Sequence, residues 1–436
     1  MSDLAKLVEE SLRDLALWEQ SQFLVAFSGG LDSTALLLSL QELRRPLRAI
    51  HIDHQLQASS VAWAEHCQAF CREHGIDLIM VTVEVATNTG MGLEAAARQA
   101  RYAAFEQELK LDEVLVTAHH ADDQFETLLL RLVRGAGVAG MAGIPALTQF
   151  GRGRLVRPLL NIRREALRSF VKSRHAAWIS DPANDDPGFD RSYLRAQVVP
   201  LLRERWPAIE VTAARLARLM TETQGLLEAL AAADIGEHQP SEPLPLTVLD
   251  QLDPPRCRNA LRYWLRQCNC EPPSAAQLEG LVRLLAARSD GSPALCWGRH
   301  QARIYRAKLY VLPARLASPA TEGWLTPTQA WQSDCGSLEL VPAREGGWSR
   351  VRAETGFRVA QRKGGERFRP GPGRPSKALK KWLQEQGVVP WMRESIPLLF
   401  CGDELVAIGD LWQCVDGDVP PGEGWRVLWR NRPALF

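Results

Sequence analysis

The chain has 436 residues with 52 Lys and Arg against 51 Asp and Glu, a net charge of +1, and is 46% hydrophobic and 24% charged. That is the balance of a soluble globular protein of roughly three domains, and it excludes a uniformly basic nucleic-acid binder. No apolar stretch reaches the ~20 residues that span a bilayer, and the opening MSDLAKLVEESLRDL has acids but no apolar signal core, so a cytoplasmic location without a membrane partner is expected.

Taken in chain order, the first 120 residues alternate short β-rich runs with helical patterns. The runs are FLVAF (23–27), LRAIHID (47–53), DLIMVTVEV (77–85) and EVLVTAH (113–119). Between them lie STALLLSLQEL, SVAWAEHCQAFCREHG and GLEAAARQARYAAFEQELK. Strands that are apolar throughout and separated by helices predict an α/β, doubly wound parallel sheet covered on both faces. Two further helical patterns, ADDQFETLLLRLVRG and REALRSFVKSRHA, carry this first domain to residue 206.

Beyond it, leucine and alanine recur at helical spacing, and residues 207–315 read as a small helical domain. The proline-bearing HQPSEPLPL (238–246) reads as a loop within it, and β-like ARIYRAKLYVL (302–312) follows. The segment ASPATEGWLTPT (317–328) reads as a linker. Residues 330–436 mix Gly, Pro and Trp with short strands such as LVAIGDLW, a mixed α+β domain. Nine scattered cysteines include no Cys-x-x-Cys pair, which points away from a disulfide framework or a zinc site.

Charge is unevenly placed. Arg152, Arg154, Arg157, Arg163, Arg164, Arg168, Lys172 and Arg174 stand against Glu165 alone. A second run from Arg358 to Lys381 stands against Glu366 alone. Two such runs in a neutral chain point to a phosphate-backbone partner; a solvated face is the alternative for either run.

The sharpest local signal is FLVAFSGGLDSTALLLSL (23–40). Two glycines between a buried strand and a helix let successive N–H groups point into one concavity at the helix N-terminus, where donors and dipole favour an anion. Ser28 and Ser33 add hydroxyls, and Asp32 either shapes the loop or faces a metal ion. No lysine follows the turn, so it is not a Walker loop.

SGGLDS resembles the pyrophosphate-binding loop of the ATP pyrophosphatase superfamily. The series VAFSGGLDSTALL, HIDHQL, GLEAAARQARY, TAHHADDQFETLLLRLVRGAGVAGMAGI, RLVRPLLNIRREAL, DPANDDPGFDRSYLR and KALKKWLQEQGVVPWMRESIPLLFCGDELVAIGDLW is similar to the tRNA(Ile)-lysidine synthetase family. The resemblance implies ATP and Mg²⁺ as cofactors. It also implies an isoleucine tRNA with a CAU anticodon and free lysine as substrates. The cytosine oxygen would attack the α-phosphate, and the lysine amine would then displace AMP. A homodimer is left open.

On that reading Ser28, Gly29, Gly30, Leu31 and Ser33 form the nest for departing pyrophosphate, with Asp32 as loop former or metal ligand. Asp53, in HIDHQL past the second strand, lies where doubly wound folds bind ligands, beside the adenosine end; His119 and His120, at the end of a later strand, would line the nucleotide pocket. Asp123 and Glu126 share a helix face, and two carboxylates there ask for a cation. The resemblance favours the lysine substrate over Mg²⁺. Arg98, with Arg101 nearby, would face the α-phosphate, or pair on the surface with Glu94 or Glu106. Arg191 and Arg195 follow a turn-rich loop, with Ser192 where the family usually has Asn. Trp382 and Trp391 are candidates for base stacking or core packing.

The alternatives are a thiolase of the same superfamily, which usually needs cysteine pairs, and an asparagine-synthetase-like amidotransferase, which needs an N-terminal nucleophilic Cys. A non-catalytic nucleotide-sensing tRNA binder, in turn, would not need Asp123 and Glu126.

Overall fold

The structure is a computed structural model that describes all residues except 19–21, 57–58, 86–91, 181–189, 288–293, 317–321, 371–374, 417–418 and 433–436. The chain divides into two compact units, Met1–Leu227 and Glu228–Phe436. Among the described residues no helix is long and apolar enough to cross a membrane.

The first unit opens with α1 (Asp3–Asp14), capped by the Ser2 hydroxyl on the Ala5 N–H. Next come β1 (Gln22–Ala26), α2 (Leu31–Glu42), β2 (Leu47–Asp53), α3 (Ser60–Glu73), β3 (Leu78–Thr82), α4 (Leu93–Glu108), β4 (Glu113–Val116) and α5 (Ala121–Val133). The short α6 (Val138–Met141) precedes the hairpin of β5 (Leu147–Phe150) and β6 (Gly153–Val156), then α7 (Arg164–Ser173). The six strands form one sheet in the order β3-β2-β1-β4-β6-β5. All its pairings are parallel except β5 with β6. The doubly wound sheet expected from the sequence is present, with one antiparallel strand at its edge.

Side-chain alternation explains why the strands read as apolar throughout. Phe23, Val25, Val114 and Val116 point to one face, where α1, α2, α3 and α7 cover them. Leu24, Leu115 and Leu155 point to the other, against Phe105 of α4. The β5–β6 hairpin escaped the reading because Thr148, Gln149 and Arg154 interrupt its apolar pattern. At the other end of β2, Arg48 grips the buried Glu113 of β4 through Nε (2.5 Å) and Nη2 (2.6 Å).

After α7 come α8 (Asp190–Tyr193), a wider π-type turn (Leu194–Val198) and α9 (Val199–Arg205). The 27-residue α10 (Ile209–Ile235) runs from the first unit into the second. Phe125 and Leu128 of α5 pack on Val199, Ala213 and Ala217, which holds this helical segment against α5.

The second unit has a helical part, β7 (Leu244–Pro245), α11 (Leu246–Leu249), α12 (Pro254–Gln267) and α13 (Ala275–Ala287). These join a four-stranded sheet with β8 (Leu295–Trp297), β9 (His300–Tyr305) and β10 (Lys308–Pro313), which is antiparallel in every pairing. Further antiparallel sheets follow, around a core that includes Trp348, Phe357, Leu379, Leu398 and Trp429. The segment read as a linker contains a strand, Gly323–Leu325, paired with Phe357–Val359. Burial of Leu325 in that core supplies the reason.

Candidate active site

A cavity of about 720 Å³ opens at the carboxyl ends of β1, β2 and β4. These strands surround the point where the sheet order reverses, the usual ligand position of doubly wound folds. Its lining includes Ser28, Gly30, Leu31, Asp32, Ser33, Asp53, Arg98, His119, Asp123, Arg191 and Arg195. The sequence-predicted residues are therefore brought together, apart from Gly29 and Glu126, which stand behind the wall.

The turn between β1 and α2 is built for close approach. Gly29 has φ +75°, and a Cβ there would come within 2.6 Å of Ile179 Cδ1 and 2.9 Å of Cys67 Sγ. The Gly29 carbonyl accepts from the Ile179 N–H at 2.8 Å, an isolated parallel bridge that braces the turn. The two hydroxyls close it from inside. Ser33 Oγ donates to the Gly30 carbonyl (3.0 Å) and accepts the Ser28 N–H (3.2 Å), while Ser28 Oγ accepts the Gly30 N–H (3.3 Å). At the adjoining strand end, buried His51 places Nδ1 2.9 Å from the Phe27 carbonyl. Asp53 lies on the cavity side of β2, where its carboxylate accepts the Gln55 N–H at 2.9 Å.

Asp32, on the first turn of α2, does not stand alone. It accepts from Arg164 Nε of α7 at 3.1 Å and lies 3.6 Å from His120 Nε2. Burial alone pushes its carboxyl up, but hydrogen bonding and charge from His120, with Arg164, outweigh this and hold it below its usual range. His120 caps α5 and is 2% exposed. Burial pushes its imidazole down; Asp32, Asp123 and Asp122 around it raise it above its ordinary value. Asp123 reaches back to the His120 N–H at 3.1 Å, one half of a capping box. Asp122 accepts the Arg164 N–H at 2.9 Å and Arg203 Nη2 at 2.7 Å. Arg203 and Arg163 in turn both bind Glu210, which is fully buried.

Glu126 is 1% exposed and already holds two cations. Arg195 approaches it through Nε (2.7 Å) and Nη2 (2.9 Å), and Arg191 through Nε (2.9 Å). Asp123 is held by the same arginines only at 3.5 and 3.8 Å. The cation that the two carboxylates ask for is thus supplied, in this state, by the chain itself. Glu126 is a tightly bonded anchor, whereas Asp123, facing the cavity, is held by the His120 N–H and meets the two arginines only at long range. The turn-rich stretch before Arg191, residues 181–189, lies outside the described residues.

On the opposite wall Arg98 of α4 stacks over Tyr102, 4.6 Å from the ring centre, and donates to its hydroxyl at 3.1 Å. His119 Nδ1 lies 3.0 Å from the Thr117 hydroxyl. Burial, aided by Arg157, Arg98 and Arg191 and opposed by Asp123, lowers its imidazole to about 4, so it is uncharged near neutrality.

His120, expected beside His119 on the nucleotide pocket wall, is instead buried at the centre of the carboxylate cluster, and sequence reasoning did not single out Arg164, Arg203 and Glu210 as part of it. Arg164 lay in a basic run read as a surface for phosphates. Much of that run instead has partners within the unit: Arg157 is buried, Arg163 meets Glu210, and Arg174 meets Glu42. The run in the tail is similar, with Lys363 on Glu322 and Arg362 on Glu366. Trp382 packs in the core edge-on to Phe368.

Two expectations follow from the cluster. Glu126→Gln removes the charge between two arginines that are each about a third exposed (32% and 38%), so solvent absorbs part of the loss. The expected destabilisation is about 1–2 kcal/mol, with a larger fall in turnover. Urea midpoints and turnover that both match the parent would show that Glu126 is not the anchor. Second, Asp32 and Asp122 titrate below 3.8, so their stabilisation is full above that value and fades as pH falls through the lowered one. His120 titrates above 6.5, so its contribution is full below 6.5 and fades as pH rises through the raised value. The stability gap between wild type and His120→Gln should therefore be widest between pH 3.8 and 6.5 and narrow on either side. Urea titrations at several pH values read this directly, and a flat gap would contradict it.

Three family descriptions match in series: a PP-loop domain over residues 2–202, a TilS substrate binding domain over 244–310 and a TilS substrate C-terminal domain over 357–429. The tRNA(Ile)-lysidine synthase of Alkalilimnicola ehrlichii is 42% identical over 425 residues, covering 94% of this chain and 95% of that one. The chain belongs to the tRNA(Ile)-lysidine synthase family. The family's enzymes from Pseudomonas putida (40% identical, 90% of this chain and 93% of that one) and Salmonella typhimurium (38%, 95% and 98%) match along nearly the whole length as well. Its PP-loop match begins at residue 2 and so includes the Gly29–Gly30 turn, and it ends past Arg195. Membership in the lysidine synthase family accounts for an enzyme that uses ATP to modify tRNA, and the thiolase reading is not favoured.

Proposed function

We propose that this chain joins free lysine to carbon-2 of the wobble cytidine in an isoleucine tRNA with a CAU anticodon, splitting ATP to AMP and pyrophosphate. The observation that carries the reading is the single cavity that holds both the glycine turn and Asp123. In the first step the cytosine oxygen attacks the α-phosphate and pyrophosphate leaves. Its charge develops at the mouth of α2, where the turn's amides and the helix dipole lie. Arg98 on the facing wall is placed to meet phosphate oxygens. In the second step the uncharged lysine ε-amine attacks carbon-2, the carbon–oxygen bond to AMP breaks, and the new nitrogen gives up a proton.

Asp123 is the carboxylate best suited to dock the ammonium, because its arginine contacts are long and exchangeable. Glu126 then acts through Arg191 and Arg195 by holding them in place. His119, uncharged, and Asp53 suit the nucleoside end. Mg²⁺ commonly arrives with nucleotide phosphates and takes only one or two carboxylates from the protein. Asp32, 28% exposed at its side chain, is a fitting donor, and the ion would neutralise phosphate charge there.

Purified protein with ATP, Mg²⁺, labelled lysine and bulk bacterial tRNA should place label in one isoleucine tRNA. Equal labelling by arginine or ornithine would defeat the lysine assignment.

A further inference from the structure

The glycine turn leaves a charge problem. Residues 28–33 offer an anion amides and hydroxyls but no cation, and they include the carboxylate of Asp32. Part of the donor set is also spent inside the turn, where the Ser28 N–H goes to Ser33 Oγ and the Gly30 N–H to Ser28 Oγ. Pyrophosphate gathers negative charge as it leaves, and a carboxylate beside it opposes that charge.

Arg164 answers both difficulties. It lines the cavity together with the turn. Its Nε donates to Asp32 Oδ1 at 3.1 Å, which sets a guanidinium against the first turn of α2 and offsets the carboxylate. Among the described residues, Nε is the one nitrogen of that guanidinium with a hydrogen bond. The fork of a guanidinium carries further donors on its two Nη groups, and it suits phosphate oxygens. The side chain is 36% exposed, so a guest can reach those groups. Its base is firm as well: the Arg164 N–H donates to Asp122 at 2.9 Å, and Leu167 of α7 shares a core with Leu31 and Ala35 of α2.

The other arginines of the cavity stand differently. Arg98 comes from α4, on the opposite face of the sheet, and donates to Tyr102. Arg191 and Arg195 are engaged by Glu126. Arg168 lies one turn further along α7, but its ion pair is with the exposed Glu165 at 3.9 Å, so no contact aims it at the turn.

We propose that Arg164 grips the departing pyrophosphate through its Nη groups, and that Asp32 positions it by holding Nε. The bond from the α-phosphorus to the bridging oxygen breaks and its electron pair goes to that oxygen. Arg164 donates hydrogen bonds to the product and keeps its protons. The inference deepens the proposed function and rests on ATP being split in this cavity. It also gives Asp32 a reason to stand beside an anion site.

Sodium pyrophosphate titrated into the full chain by calorimetry, with Mg²⁺ present, reads the contact directly. Arg164→Gln should weaken pyrophosphate binding about tenfold or more. Arg164→Lys should recover part of that loss, since an ammonium keeps the charge without the fork. The backbone N–H that meets Asp122 survives both substitutions. AMP affinity should be unchanged in Arg164→Gln, which a general collapse of the site would not allow. Lys172→Gln removes one exposed charge from the far end of the same helix and should leave pyrophosphate binding as it is. Unchanged pyrophosphate affinity in Arg164→Gln would overturn the proposal, as would an equal loss of AMP affinity or an equal loss in Lys172→Gln. A loss in Arg168→Gln with none in Arg164→Gln would overturn it by moving the grip one turn along. Weakened tRNA binding in Arg164→Gln with pyrophosphate binding intact would also sink it, by assigning the residue to a tRNA phosphate. These titrations need neither lysine nor tRNA transfer. Lysine label with unaltered pyrophosphate binding therefore removes only the Arg164 contact, and weakened pyrophosphate binding without label removes only the lysine reaction.

Discussion

Gly29→Ala is expected to destabilise the protein by about 2–4 kcal/mol, through backbone strain of roughly 1–2 kcal/mol and overpacking of similar size. The strain arises because φ is +75°. The overpacking arises because the new methyl would stand 2.6 Å from Ile179 Cδ1, at the cavity wall, and 2.9 Å from Sγ of the buried Cys67. Relief moves the turn itself or Ile179 at the cavity wall, and a shift on the order of 1 Å in a positioning element costs about a hundredfold in rate. Pyrophosphate release should thus fall about a hundredfold or more. Gly75→Ala is the control, since Gly75 has φ +66° and nothing within 4 Å of the added methyl. That variant should show strain alone, about 1–2 kcal/mol, and normal turnover. Equal turnover in both variants would remove the turn from the chemistry.

Asp32→Ala should lower turnover by about a hundredfold or more while leaving the circular dichroism spectrum intact. The fold survives because His120 keeps Asp122 and Asp123 as partners, and Arg164 is 36% exposed and can turn to solvent. A stability loss of about 1 kcal/mol covers the lost hydrogen bond. Asp32→Asn separates the two roles open to this residue. The amide oxygen can still accept from Arg164 Nε, so a loop-shaping role predicts substantial activity. A role that needs negative charge, such as holding a metal ion beside phosphate, predicts a variant as slow as Asp32→Ala. Full activity in Asp32→Ala would take the residue out of the site.

Why some of this could be read from the sequence and some could not is physical. Strands such as 23–27 are apolar on both faces because helices cover both, and that leaves a run no surface strand would have. Their parallel order followed from the intervening helices. The glycine turn was legible because its conformational demand is local. Pairings between distant residues were not. Arg164 meets Asp32 across 132 residues, and Arg195 meets Glu126 across 69. Each partner stood out singly, yet nothing in the order of letters states that they meet. The same blindness made Arg157 and Arg163 look like a surface for phosphate when they have partners inside the fold. Likewise Glu126 was grouped with Asp123 by helical spacing. Spacing fixes which face a carboxylate lies on but not how tightly another segment holds it.

The saturation of the acidic cluster has a thermodynamic consequence. An ammonium docked on Asp123 would compete with its long contacts to Arg191 and Arg195, and a phosphate that drew on those arginines would weaken the same contacts. On the proposed reading, the two guests would then be coupled through these arginines. By reciprocity, whatever factor ATP would add to amine affinity the amine would return to ATP, so the affinity for either one should be read both with and without the other.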